Sequence, residues 1–302
     1  PKMYGFQLLD LHDYIGQGTA LVGLLDTFWE EKGYVTAKEF KRFNNETVPL
    51  ARLYKRTFSS DEKFEVDVEI AHFGGKPIEN AIPYWKIVSY YGTTVQEGEF
   101  QKSTIPIGKN IPIGKVSLNN DYLRQDIYYN ISDHDSETTL ADSAFKFKLV
   151  VGIRGTEIEN DWNFWVYPSK IESKEPKNIA ITHSWDEAEA KLKRGEKVLY
   201  MPRKADLDWT SPPLDTIPVF WTRLMNPAWS RMLGLWIDKK HPALSQFPTD
   251  NFNDWQWTEL VKNTRVINLD KLPKNLQPIV QPIDDWNRNY KLGMIFEAKV
   301  GR

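Results

Sequence analysis

Phe64-Glu65-Val66-Asp67-Val68-Glu69-Ile70 is the stretch whose reading decides the fold of the middle of this 302-residue chain. Apolar and acidic residues alternate through it with a period of two. That places Phe64, Val66, Val68 and Ile70 on the buried face of a strand and the three acids on its wet face. Gly74-Gly75 followed by Lys76-Pro77 marks a turn. A second strand, Ala81 to Tyr91, is centred on Trp85 and ends at Gly92. Gly98, Gly108 and Gly114 punctuate further short strands, including Lys115 to Leu118. Phe145, Phe147, Leu149 and Val151 alternate again, and Trp162 to Tyr167 closes the series before Pro168. Short strands with turn signals at such intervals predict an antiparallel β-sandwich over residues 58–170.

Beyond the sandwich the pattern changes. Ile171 to Lys177, charged and carrying Pro176, reads as a linker. Ile179 to Ile181 is a short strand, and Ser184 with Glu187 reads as a capping box for a helix running to Arg194, which Gly195 ends. Lys197 to Met201 is the next strand, stopped by Pro202. Strand, helix, strand implies a parallel pair, so residues 171–302 are expected to form an α/β domain. A Trp-rich stretch, Val219 to Trp236, follows. Then come a helix-like Trp255 to Lys262 and candidate strands at Arg265 to Leu269, Pro278 to Ile283 and Leu292 to Lys299.

Ahead of the sandwich lies GFQLLDLHDYIGQGTALVGLLDTFWEEKGYV, Gly5 to Val35. An apolar run, Phe6 to Leu11, ends in a polar cluster of His12, Asp13, Tyr14 and Gln17 around Gly16 and Gly18. Leu21, Leu24, Leu25 and Phe28 then have the spacing of one helix face. The reading is strand, loop, helix, with the polar groups at the carboxyl end of the strand. In a (β/α)8 barrel that edge carries the catalytic and binding groups. Thr36 and Glu39 fit a second capping box, and Val48 to Tyr54 reads as a helical or packed segment.

The runs GFQLLDLHDYIGQGTALVGLLD and KGYVTAKEFKRFNNETVPLARL resemble the last barrel strand and following segment of glycoside hydrolase family 2, the β-galactosidase and β-glucuronidase group, in its large multidomain Bacteroidetes form. The Trp85 strand and the NDWNFWVYP run resemble the immunoglobulin-like sandwich that follows such a barrel. The last segment resembles a flavodoxin-like or amidotransferase-like module. The fold class this implies is multidomain α and β. Residues 1–57 would be the last strand and helix of a barrel, 58–170 an immunoglobulin-like β-sandwich and 171–302 an α/β accessory domain. By the same resemblance the chain is the C-terminal region of a retaining β-glycosidase. Its termini would lie elsewhere in a longer periplasmic or extracellular protein. Such enzymes use two carboxyl groups about 5–5.5 Å apart. The resemblance places both upstream of this chain, so no catalytic residue is assigned and the chain alone is expected to be inactive. The alternative is a stand-alone carbohydrate-binding or assembly module.

Composition narrows the chemistry. A formal net charge of −2 argues against nucleic-acid and membrane-surface partners. The absence of cysteine excludes disulfides, thiolate metal sites and the cysteine chemistry usual for an amidotransferase-like fold. The histidines lack ligand spacing, so neither a metal nor a cofactor is expected, although Asp133 and Asp135 leave a carboxylate-bound ion open. Glu30, Glu31 and Glu39 are read as solvated helix surface. Asp10, inside the apolar run, is read as a paired structural residue.

His12, Asp13, Tyr14 and Gln17 are the candidate substrate-binding residues. They either contact sugar hydroxyls, or orient the catalytic groups from behind, or simply satisfy loop backbone. Trp221, Trp229, Trp236, Trp255, Trp257 and Trp286 are read either as packing or as a sugar platform. The partners expected are an oligo- or polysaccharide, through the parent enzyme, and the parent's own domains. A barrel segment that exposes apolar surface also favours self-association.

Overall fold

The computed structural model describes residues 8, 10–14, 16, 22–121, 123–124, 143–170, 176–207, 210–214, 232–262, 264–285 and 288–300. Among the described residues strands dominate and helices are few, and the chain divides into two units, Pro1–Ser169 and Lys170–Arg302.

In the first unit, α1 (Ala37–Phe43) starts at the expected capping box. Thr36 Oγ1 accepts from the Glu39 amide at 3.2 Å, and the Glu39 carboxylate accepts from the Thr36 amide at 2.8 Å. Ten strands follow in chain order: β1 (Thr47–Ala51), β2 (Thr57–Ser59), β3 (Lys63–His72), β4 (Ile78–Ala81), β5 (Pro83–Ser89), β6 (Thr94–Glu99), β7 (Ser103–Ile105), β8 (Gly108–Asn119), β9 (Phe145–Ile153) and β10 (Glu159–Tyr167). They form a three-stranded sheet, β1-β3-β8, a five-stranded sheet, β2-β10-β9-β5-β6, and a small β4-β7 pair. All pairs are antiparallel except β2 with β10. This is the β-sandwich, and its core follows the alternation read in the sequence. Phe64, Val66 and Val68 from β3 meet Phe147, Leu149 and Val151 from β9 and Phe164 and Val166 from β10. Phe64 stacks on Phe164 with centroids 4.3 Å apart, and Phe164 on its cross-strand partner Phe147 at 5.3 Å.

Two expectations here are corrected. Val48 to Tyr54 contains strand β1, not a helix, and Pro49 is tolerated there because β1 is an edge strand. Gly108 and Gly114 do not end short strands. Both lie inside the 12-residue β8, which absorbs them through register shifts opposite Val68/Glu69 and Ile70/His72.

The helix expected from Leu21 to Phe28 is likewise not formed over its described part, residues 22–28. The physical reason lies in the backbone partners. Leu25 donates to Leu11 O and accepts from the Asp13 amide, both at 3.0 Å, so its peptide groups are taken by another segment. The Asp26 carboxylate accepts from the amides of Phe28 and Glu30 at 2.8 and 2.9 Å, offering the backbone a turn in place of a helix. Leucine spacing alone did not reveal either competitor.

The second unit opens as read. Strand β11 (Ile179–Thr182), helix α2 (Trp185–Lys193) and strand β12 (Lys197–Tyr200) make a parallel pair with its crossover helix. Ser184 Oγ accepts from the Glu187 amide, but Glu187 turns to Thr182 Oγ1 at 2.6 Å, so only half of the capping box is built. Gly195 ends the helix at φ +80°, where glycine carries no steric cost. From there the order is antiparallel. Strand β13 (Gly234–Ile237) precedes a short helix α3 (Thr258–Lys262), then come β14 (Ile267–Asn268), β15 (Pro278–Ile283), β16 (Leu292–Gly293) and β17 (Ile295–Phe296). They pair as β13-β15-β17 and β14-β16 around Trp257, Val261, Val266 and Val280. The parallel pair gains no third strand among the described residues.

Candidate functional site

The polar cluster at the end of the first apolar run is assembled from three short pieces of chain. Residues 11–13 pair with Leu25 in a parallel bridge, and Leu25 pairs with Glu31 in an antiparallel one. Asp13 ties the pieces together. Its buried carboxylate accepts from the Gly23 amide at 2.9 Å and from Lys32 Nζ at 2.6 Å. The Lys32 hydrogen bond, more than any other contact, holds the Asp13 carboxyl below its ordinary value of 3.8. Tyr34 adds a further tie, donating from its hydroxyl to Gly23 O at 2.5 Å.

Two aromatic side chains stand out from this frame. Asp26 to Glu30 forms a tight turn, closed by the Asp26 amide on Glu30 O at 3.0 Å and the Trp29 amide on Asp26 O at 3.2 Å. Phe28 at its tip is 81% exposed. Trp29 sits in the left-handed region at φ +68° and returns its ring to His12, centroids 4.4 Å apart and 41° from parallel. His12 Nδ1 lies 2.6 Å from Asp13 O. A carbonyl can only accept, so Nδ1 carries a proton, and in the singly protonated ring Nε2 is then the acceptor.

Of the residues singled out in the sequence, His12 and Asp13 are brought together here. Tyr14 is exposed and folds over Gly16, where a β-carbon would come within 2.4 Å of its hydroxyl. Gln17 lies outside the described residues. Asp10 is half-buried. Glu30 and Glu31 are exposed on the turn, not on a helix, and Glu39 is spent in the α1 cap. Gly23, Trp29, Lys32 and Tyr34 were not identified as site residues. The signal that points to them is Gly23, a residue that weakens the helix otherwise read there.

The remaining candidates are placed singly. Trp236 and Trp255 are exposed, and Trp257 is buried with its indole N–H on Thr249 Oγ1 at 2.9 Å. Trp221, Trp229 and Trp286, and Asp133 and Asp135, lie outside the described residues. His72 is buried between Thr47 Oγ1 and Lys76 O, while His183 meets Met201 O at 2.7 Å. Among the described residues no group of three His, Cys, Asp or Glu side chains could hold a metal ion, and no helix is long and apolar enough to cross a membrane.

Residues 180–302 match the model of a domain of unknown function (DUF8487), and residues 62–132 and 124–168 match that of a second (DUF8488). No curated protein matches the chain in sequence. Among solved structures, a β-glucuronidase of Parabacteroides merdae aligns over 40% of this chain and 14% of its own, at 11% identity and a TM-score of 0.26. A β-glucuronidase from glycoside hydrolase family 2 aligns over 44% and 12%, at 13% identity and a TM-score of 0.22. A conjugative transposon lipoprotein from Bacteroides eggerthii aligns over 39% and 96%, at 10% identity and a TM-score of 0.22. This chain therefore spans a small part of either glucuronidase, and TM-scores of this size carry no argument about its activity.

Proposed function

We propose that the chain is the C-terminal accessory region of a retaining β-glycosidase and contributes carbohydrate contacts from its first segment. The observation that carries this reading is the frame built on Asp13. A part-buried ion pair joins three pieces of chain and leaves aromatic faces and polar edges in water, the mixture that sugar rings match with their C–H faces and hydroxyls. The sequence resemblance of Gly5 to Val35 to the end of a family 2 barrel adds the catalytic context. On this reading residues 1–57 are the barrel remnant, 58–170 the sandwich and 171–302 the accessory domain. The protein works outside the cytoplasm, and its partners are a glycan and the parent enzyme's own barrel.

The immunoglobulin-like character of the sandwich is supported by its topology. The leading strand is split between the sheets, β1 antiparallel to β3 and β2 parallel to β10, and Trp85 of β5 packs on the core. The flavodoxin-like reading of the last domain has β11, α2 and β12 in its favour and the antiparallel β13-β15-β17 sheet against it.

Hydrolysis of a panel of aryl β-glycosides tests the proposal. The expected result is no turnover by the 302 residues, and turnover once the chain is extended upstream through a barrel. Turnover by this chain alone overturns the placement of the carboxylate pair. Glycan binding without activity in any longer form favours the stand-alone binding module.

A further inference from the structure

Resting on the glycan-binding reading above, we infer that Trp29, held against His12, is the stacking platform for one pyranose ring, and that the ring it selects is uncharged. A left-handed conformation is unfavourable for an ordinary L-residue, and Trp29 keeps it at φ +68°. Asp26 enforces it by accepting from Phe28 and Glu30 on either side. The strain does not serve burial, since Trp29 remains 59% exposed. What it does is bring the indole against the His12 ring, centroids 4.4 Å apart and planes 41° from parallel, so that an apolar ring and an imidazole are held in contact.

His12 completes the chemistry. With Nδ1–H committed to Asp13 O, Nε2 of the half-buried ring has no hydrogen-bond partner among the described residues and, in the singly protonated ring, is an acceptor. An indole face beside one acceptor fits a ligand with a C–H face and a hydroxyl on its rim, which is the chemistry of a pyranose. Charge then chooses among pyranoses. Asp26, Glu30 and Glu31 flank Trp29 along the chain, and Lys32, the cation beside them in sequence, is already paired with Asp13. A uronate or a sugar phosphate would meet like charge there, whereas a neutral ring would not.

The test uses the full 302-residue chain, with neutral β-linked gluco- and galacto-oligosaccharides and an oligoglucuronate as probes, read by calorimetry and ligand-detected NMR. Trp29→Asn is the first variant, because asparagine accepts the left-handed backbone and so preserves the turn while deleting the ring. Trp29→Phe is the second, keeping a smaller face. The expected result is binding of a neutral probe that weakens about tenfold in Trp29→Asn and less in Trp29→Phe, with circular dichroism unchanged. Equal binding by wild type and Trp29→Asn overturns the platform and leaves the glycan reading standing. Preference for the oligoglucuronate overturns the charge selection. Failure of wild type to bind any probe overturns the glycan reading and this inference with it.

Discussion

Gly23 packs so closely on His12 that a β-carbon at position 23 would stand 2.2 Å from the His12 carbonyl carbon and 2.4 Å from the Asp13 nitrogen. Both obstacles are backbone, which cannot swing aside as a side chain would. The approach is what lets the Gly23 amide reach the Asp13 carboxylate. Gly23→Ala therefore forces the two pieces apart. A loss of about 1–3 kcal/mol is expected in urea unfolding of the first unit. The ring-current shift that the Trp29 indole imposes on the His12 protons should vanish from the NMR spectrum of the same variant. An unchanged midpoint would show that these segments are not packed together.

Acid should loosen the same frame. Asp13 titrates below 3.8 in the folded chain, chiefly because Lys32 bonds its ionised form. A depressed carboxyl contributes stability above its unfolded value and loses it as pH falls through the folded one. Glu39 and Glu62 of the same unit are also depressed, Glu39 first by the Thr36 amide and Glu62 first by Lys55. Thermal unfolding midpoints are expected to fall as pH drops below about 4.5. In Asp13→Asn the part of that fall due to Asp13 should be missing, which a pH series of melting curves measures.

At the alkaline end Tyr84 takes over. Burial and its hydrogen bond to Glu159, 2.6 Å long, push its phenol up from 10.0 to about 12. The sign is opposite to that of Asp13. A raised value stabilises the fold below the unfolded value and the effect is lost as pH climbs through the folded one, here from 10.0 to about 12. Burial also raises Tyr167 and Tyr200, so phenolate absorbance should show these tyrosines ionising late together with Tyr84, and Tyr84→Phe should remove one phenol from that late group.

The sandwich core should be most sensitive at Phe164, which touches Phe58, Phe64 and Phe147 from both sheets and is fully buried. Phe164→Ala is expected to cost about 3–5 kcal/mol. Trp185, exposed on α2 in the second unit, provides the contrast: Trp185→Ala should change stability by about 0.5 kcal/mol or less. Chemical denaturation of both variants separates the two cases.

A cross-strand fit gives a finer check on the sandwich. Gly98 faces Trp85 in register, and a β-carbon there would fall 2.8 Å from the indole. Gly98→Val should displace Trp85 from the core edge and red-shift its emission, with a loss of about 1–3 kcal/mol. Unshifted emission would show that the indole does not lie over position 98.

Much of this architecture is legible in the sequence where one residue's neighbours decide its state. The alternation of Phe64 to Ile70 became β3, Thr36 with Glu39 became the cap of α1, and Gly195 ended α2. Gly98, by contrast, reads as strand punctuation and serves as a space for Trp85, a role set by a partner 13 positions away.

The candidate site shows the same division. Sequence alone singled out His12 and Asp13, because polar residues closing an apolar run stand at a strand end. It could not bring Gly23, Trp29 and Lys32 to them, and it read a helix where Leu25 is claimed by Leu11 and Asp13. Local pattern determines elements whose hydrogen bonds close within a few residues. Where backbone groups are claimed from another segment and a carboxylate is shared among three, only the tertiary structure decides, because those energies depend on distances that no local window contains.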